Sequence, residues 1–283
     1  MCSWQVSYFF YKNLAFGLTV FYFNSNALFS GQSIFEEWAM ALYNVIFTSI
    51  PVMVVGIFEQ DVAADTCLKF PALYRQGPGN AFFSWGRIFL WMALGVYNSI
   101  VLFFLVAIAF SFGAFRSDGK VADMWAVGTS MYTCIIWTVT VQLALSISYF
   151  TWVHHVALWG SIACWYVYLA VRGMMNLDSN MLKGVLSEEL APSPTFWLLT
   201  IVIPMVGVFP SFLYTAFVRQ FRPSDHHIIG EIVNLELQKK DPAMWKREQR
   251  KAHHRPKFGF TAAVDAAVRR MRAKGHRGSP TPV

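Results

Sequence analysis

The chain is 283 residues long, 55% hydrophobic and 17% aromatic, yet only 14% of its residues are charged. Soluble domains of this size rarely combine so many aromatic residues with so few charges, which excludes an ordinary soluble domain. The formal net charge is +7 and is unevenly distributed. Residues from Arg219 onward carry 15 basic and six acidic side chains, net +9, and the preceding residues carry eight and ten, net −2.

Six apolar runs are long enough to cross ~30 Å of hydrocarbon as helices rising ~1.5 Å per residue. In lipid the backbone has to satisfy its own hydrogen bonds, so runs of this length are expected to be helical. The expected spans cover approximately residues 6–28, 38–58, 88–110, 124–150, 152–171 and 195–217. They form an all-α integral membrane domain, residues 1–218, followed by a C-terminal tail, residues 219–283.

The first span contains an unusual polar pair, Lys12 and Asn13, in the string YFFYKN. If the helix begins near Trp4, Lys12 lies about 12 Å along it. An ammonium in hydrocarbon is costly, so such residues usually face a bundle interior or a wet cavity. The alternative is a lysine stem that reaches the headgroups. The neighbouring amide needs a partner of its own, and the pair together indicates a polar site in the bundle.

The second span supplies hydroxyl and amide groups around a proline, in the string LYNVIFTSIPVMVVG. Pro51 has no N–H, so the carbonyl of Phe47 loses its helical partner and the helix is expected to kink. An interrupted helix lined by polar groups is a way in which transporters expose backbone to a substrate. A simple helix bend is the alternative. The polar residues nearest the proline are Asn44, Thr48 and Ser49.

The basic tail sets the expected topology. Positively charged segments close to spans stay cytoplasmic, and six spans place both termini on the same side. Between residues 239 and 257, eight basic side chains face only two acidic ones. Close to a membrane each basic residue favours anionic lipid by ~1 kcal/mol. Anionic lipid is therefore an expected partner of the tail, with a solvated tail as the alternative, and no nucleic-acid partner is expected.

Four strings in the chain resemble a known family: YFFYKN, LYNVIFTSIPVMVVGIFEQDV, CLKFPALYRQGPGNAFFSWGRIFLWM and PSDHHIIGEI. They are similar to the fifth and sixth membrane helices of the type IV P-type ATPases, the phospholipid flippases. They also match the loop after the sixth helix and the segment after the tenth. The resemblance extends from about residue 7 to about residue 274. It implies that the six spans correspond to the last six of a ten-helix membrane domain.

The resemblance also implies roles for individual residues. Lys12 and Asn13 match a Lys-Asn pair that takes part in lipid translocation in the family, and Asn44, Thr48, Ser49 and Pro51 are neighbours on the same path. Gly259 and Phe260 loosely resemble a tail element that docks on the headpiece and inhibits some relatives. No catalytic residue is assigned in this chain.

The activity that the resemblance implies is ATP-driven movement of phospholipid from the exoplasmic to the cytoplasmic leaflet. The family works in plasma, Golgi or endosomal membranes, with Mg and ATP as cofactors and a small two-span accessory beta subunit as partner. This sequence lacks the Asp-Lys-Thr-Gly phosphorylation motif and a nucleotide-binding domain. We therefore expect the chain to be part of a longer ATPase, without its N-terminal half, and to be inactive alone.

Two other functions remain open from the sequence. A self-contained six-span channel or secondary transporter would favour internal repeats, and residues 1–110 and 124–217 show none. The second alternative function is that of a non-transporting fragment that binds the accessory subunit. Histidine pairs at residues 154–155, 226–227 and 253–254 lack a supporting shell, so no metal site is expected.

Overall fold

The computed structural model describes residues 2–58, 85–111, 121–147, 150–175 and 182–221. Contacts divide the chain into one unit of residues 1–61 and 76–216 and a second of residues 62–75 and 217–283. The first unit contains every described helix, apart from the last residues of the final one. The expected regulatory pair, Gly259 and Phe260, lies outside the described residues, as does the basic tail beyond residue 221.

Every regular element among the described residues is helical, which confirms the expected all-α class for that part of the chain. The α-helices are α1 (Cys2–Asn26), α2 (Glu37–Leu42), α3 (Ser49–Phe58), α4 (Trp85–Ser111), α5 (Met124–Ser146), α6 (Trp152–Met174) and α7 (Pro194–Phe221). Two π-helical segments cover Tyr43–Phe47 and Val185–Leu190.

Five helical segments among the described residues are long and apolar enough to cross a membrane. They are Glu37–Phe58, which joins α2 to α3, together with Trp85–Ser111, Met124–Ser146, Trp152–Met174 and Pro194–Val218. Helix α1 is 25 residues long, which is enough to cross a membrane. Lys12, Asn13 and other polar residues lower its mean hydropathy, however. The chain is therefore a multi-pass membrane protein whose described residues include five spans by composition, and the expected sixth span, α1, does not meet that measure.

Helix α5 is the central helix of the bundle. Of its most apolar 18-residue window, 72% is buried inside the protein, compared with 28–39% for the other four segments. The Asp123 carboxylate caps its start by accepting a hydrogen bond from the Met124 N–H at 2.8 Å. The helix ends at Ser146 rather than at the expected residue 150, because Ile147 has an extended backbone (φ −78°, ψ 124°).

Buried aromatic side chains tie three of the other helices, α1, α2 and α6, to α5. The Tyr8 hydroxyl of α1 donates to the Val139 carbonyl at 2.8 Å, and the Tyr132 hydroxyl of α5 donates to the Ala39 carbonyl at 2.6 Å. Tyr132 also stacks on Trp165 of α6 at a ring-centroid distance of 4.4 Å. Each ring buries a large apolar area while its polar end finds a partner, which fixes the helices in register.

One backbone approach in the bundle requires glycine. A Cβ built on Gly128 of α5 would lie 2.1 Å from the Ile34 carbonyl oxygen, in the segment before α2. No side chain fits at that distance, so Gly128 allows the backbone before α2 to rest directly on the central helix. A second close approach brings α7 to α4, where a Cβ on Gly207 would lie 2.8 Å from Asn98 Oδ1.

An ion pair joins the start of α2 to the end of α6. The Glu36 carboxylate accepts hydrogen bonds from the Arg172 guanidinium and from the Tyr168 hydroxyl. The Glu36 and Arg172 side chains are only 11% and 20% exposed. Removing one member of such a pair leaves the other charge poorly solvated, so this pair positions the two helix ends.

Candidate functional site

The second apolar segment, Glu37–Phe58, is not a continuous α-helix. It passes through the π-helical turn and is interrupted at Thr48, whose backbone (φ −123°, ψ −11°) lies outside the helical range. Pro51 offers no N–H to the Phe47 carbonyl. In the structure this buried carbonyl accepts a hydrogen bond from the Ser161 hydroxyl of α6 instead. The interruption that Pro51 predicts is confirmed.

Lys12 of α1 points into the bundle at this interruption. Its side chain is 1% exposed, and Nζ donates to the Thr48 hydroxyl oxygen at 2.7 Å. The amine also lies over two aromatic rings, at 5.0 Å from the centroid of Phe9 and 5.8 Å from that of Tyr43. Both distances are within the range of a cation–π interaction. The lysine is therefore held inside the protein rather than extended to the end of its helix.

Lys12, Tyr43 and Thr48 form a closed set of hydrogen bonds, which we call the lysine clasp. The Lys12 amine donates to Thr48, and the Thr48 hydroxyl donates to the Tyr43 carbonyl at 2.7 Å. The Tyr43 hydroxyl donates to the backbone carbonyl of Lys12 at 3.1 Å. Phe16 stacks on the Tyr43 ring at 4.4 Å and 18°. Helix α1 and the π-helical turn are thus joined through both backbone and side chain.

The other predicted path residues lie around the clasp but not in it. Asn13 is partly buried, and its amide donates to the Phe9 carbonyl of its own helix at 2.9 Å. Asn44 is exposed, Ser49 is partly buried and Pro51 is buried. Of the predicted residues, the structure brings Lys12 and Thr48 into direct contact.

Two residues of the site, Tyr43 and Ser161, were missed by the sequence analysis. Tyr43 resembles an ordinary core aromatic, and Ser161 resembles one of many small residues in a membrane helix. A signal for Ser161 existed, because a carbonyl freed by proline inside a bundle requires a donor from a neighbouring helix. Which helix supplies the donor depends on packing that one sequence does not specify.

The arrangement offers a buried amine to an anionic ligand. Within the part of the chain that the structure describes, no carboxylate lies at ion-pair distance from the Lys12 amine. A lysine amine without a carboxylate partner can form charge-assisted hydrogen bonds to a phosphate or carboxylate. The Thr48 hydroxyl can release the amine and still keep its own bond to the Tyr43 carbonyl. The described residues bring no three metal-ligating side chains together.

The fold and the site define a helical, multi-pass membrane domain with a cationic group at an interrupted helix. Comparison with known sequences gives the family. A family model described as "Phospholipid-translocating P-type ATPase C-terminal" matches residues 2–224. The chain belongs to this family, as its resemblance to the flippases predicted, and corresponds to the C-terminal region of its members.

Individual relatives agree with the family match. "Phospholipid-transporting ATPase 6" of Arabidopsis thaliana is 51% identical over 274 residues, which are 96% of this chain and 22% of that protein. "Probable phospholipid-transporting ATPase 4" of the same plant is 50% identical over 273 residues, 95% of this chain and 22% of that protein. "Phospholipid-transporting ATPase 10" is 41% identical over 270 residues, with 94% and 22% covered. The chain thus spans about a fifth of the length of these relatives.

Proposed function

We propose that this chain is the C-terminal membrane portion of an ATP-driven phospholipid flippase. In this function it contributes part of the path that moves phospholipid from the exoplasmic to the cytoplasmic leaflet. The family match over residues 2–224 supports the assignment, and the relatives named above are described as phospholipid-transporting ATPases. Because the chain spans 22% of these relatives, ATP and Mg would act on the remaining four fifths of the enzyme.

The observation that carries the proposal is the buried amine of Lys12 at the interrupted second segment. A phospholipid headgroup presents a phosphate, which an ammonium binds through short, charge-assisted hydrogen bonds. When a headgroup reaches this level of the bilayer, the amine exchanges the Thr48 hydroxyl for the phosphate. Asn13, Asn44, Ser49 and Pro51 are proposed neighbours on the same path, where amides and hydroxyls both donate and accept hydrogen bonds.

The topology and the tail belong to the same proposal. Helix α1 acts as a sixth span, because the Lys12 amine faces protein rather than lipid. Both termini of the chain are cytoplasmic. The tail, residues 219–283, contacts anionic lipid through its basic residues, and Gly259 and Phe260 regulate the pump. The host is the plasma membrane or a Golgi or endosomal membrane, and a small two-span accessory beta subunit binds the enzyme.

The proposal predicts that a chimera transports phospholipid. In this chimera the chain replaces the matching C-terminal region of Arabidopsis Phospholipid-transporting ATPase 6, to which it is 51% identical. We expect lipid-stimulated ATPase activity and uptake of labelled phospholipid within about tenfold of the parent enzyme, since this chain supplies its own part of the proposed path and the parent supplies the rest.

The matched control is the chain alone in liposomes, which is expected to move no labelled lipid. A chimera that folds and reaches the membrane but transports nothing would contradict the proposal. Transport by the chain alone would instead support a self-contained transporter.

A further inference from the structure

The Phe47 carbonyl beside the lysine clasp is held by another helix. Pro51 deprives this carbonyl of its helical N–H, and the Ser161 hydroxyl of α6 donates to it. Ser161 is 2% exposed and Phe47 is 1% exposed, so water does not compete for the bond. An unsatisfied carbonyl at this depth would be costly, and Ser161 therefore determines how the interruption is closed.

The peptide bond that Ser161 holds is the one that leads into Thr48. Fixing the Phe47 carbonyl fixes the orientation of the peptide plane, and hence the backbone from which the Thr48 side chain projects. That backbone is outside the helical range, at φ −123° and ψ −11°. The Thr48 hydroxyl oxygen lies 2.7 Å from the Lys12 amine. A rotation of this peptide plane would turn the hydroxyl away from the amine.

Helix α6 also contacts the part of the segment Glu37–Phe58 that precedes Thr48. The rings of Trp165 and Tyr168 pack edge-on against the Phe47 ring, at centroid distances of 5.3 Å and 5.5 Å. At the other end, Arg172 and Tyr168 bond to Glu36, immediately before α2. Residues 36–47 are thus fastened to α6 at both ends, and α6 also packs against α3, beyond the interruption at Thr48.

We propose that Ser161 is a positioning residue for the lysine of the lipid path. By donating to the Phe47 carbonyl it keeps Thr48 in the conformation that orients the Lys12 amine, and so it affects how the enzyme binds a lipid phosphate. The inference rests on the proposed function, because it assigns Ser161 a role in the same site. It adds α6 to the helices that control the path.

The test compares two buried serines in the chimera. Ser161→Ala removes the hydroxyl that supports the interruption. Ser130→Ala removes an equally buried hydroxyl that bonds only its own helix, at the Ala126 carbonyl, 2.8 Å away. We expect Ser161→Ala to lower the lipid concentration for half-maximal ATPase stimulation by up to about tenfold, because the Thr48 hydroxyl competes with the phosphate for the Lys12 amine and is misplaced in this variant. We expect the maximal rate to change by less than about twofold, and Ser130→Ala to change neither quantity.

A second comparison shows whether Ser161 acts through the clasp. Thr48→Val removes the hydroxyl that Lys12 bonds. If Ser161 works by orienting Thr48, the double variant Thr48→Val/Ser161→Ala should resemble Thr48→Val alone. Shifts that multiply in the double variant, or a Ser161→Ala variant that behaves like Ser130→Ala, would overturn the inference.

Two further variants keep the test decisive. If Ser161→Ala does not fold, Ser161→Cys retains a weaker donor of similar size, and a smaller shift in the same direction is expected. The absence of that shift would also overturn the inference. Normal transport by Lys12→Met would contradict the proposed function itself. Impaired transport by Lys12→Met together with a normal Ser161→Ala would contradict only the role of Ser161.

Discussion

Replacing Lys12 by methionine in the chimera is expected to reduce phospholipid uptake and lipid-stimulated ATPase activity by about a hundredfold. The estimate follows from losing a charge-assisted partner worth ~3 kcal/mol to the headgroup phosphate. Methionine has nearly the length of the lysine stem, so the bundle remains packed. Because a buried amine is expensive in hydrocarbon, the thermal stability of the purified protein is expected to stay the same or rise.

Lys183→Met is the matched control for this prediction. Lys183 is exposed in the segment between α6 and α7, so its removal alters the same charge without touching the clasp. Uptake of labelled phospholipid and the melting temperature are measured for both variants. Retained transport in Lys12→Met would count against a functional lysine. Loss of transport together with a lower melting temperature would mean that Lys12 is structural.

Replacing Gly128 by alanine is expected to be the most destabilising single-methyl change in the described bundle. The added Cβ would lie 2.1 Å from the Ile34 carbonyl oxygen, which is backbone and has little freedom to move. Overpacking of this kind costs about 3 kcal/mol or more. The segment before α2 would have to lift from α5, which would also disturb the neighbouring Glu36 and Arg172 pair.

Gly160→Ala provides the control, since a Cβ at Gly160 of α6 has no atom within 4 Å. Alanine there is expected to be neutral or to stabilise by up to about 1 kcal/mol through helix propensity. The fraction of chimera that remains monodisperse after heating measures both effects. Equal heat resistance of Gly128→Ala and the unsubstituted chimera would show that α5 and the segment before α2 do not touch as described.

Much of the helical framework could be predicted from the sequence. Apolar runs of about 20 residues permit few structures in lipid, and the missing N–H of Pro51 has a fixed consequence for the carbonyl four residues earlier. The inward direction of Lys12 followed from the cost of exposing an amine to hydrocarbon. These predictions depend on local chemistry, which a single sequence contains.

The partners within the site could not be predicted in the same way. Tyr43 bonds the backbone of a residue 31 positions away, and Ser161 bonds a carbonyl 114 positions away. Neither residue type differs from ordinary core residues until the helices are packed. The same is true of Gly128, because glycine is required at this position only by the close approach of the Ile34 carbonyl. Predictions of this kind need the tertiary arrangement as well as the residue pattern.

A structure of the chimera with a phospholipid bound on its transport path tests the role of Lys12 most directly. We expect a phosphate oxygen within ~3 Å of Lys12 Nζ, with the amine released from Thr48. A lipid that occupies the path while the amine still bonds the Thr48 hydroxyl, far from any phosphate, would contradict it.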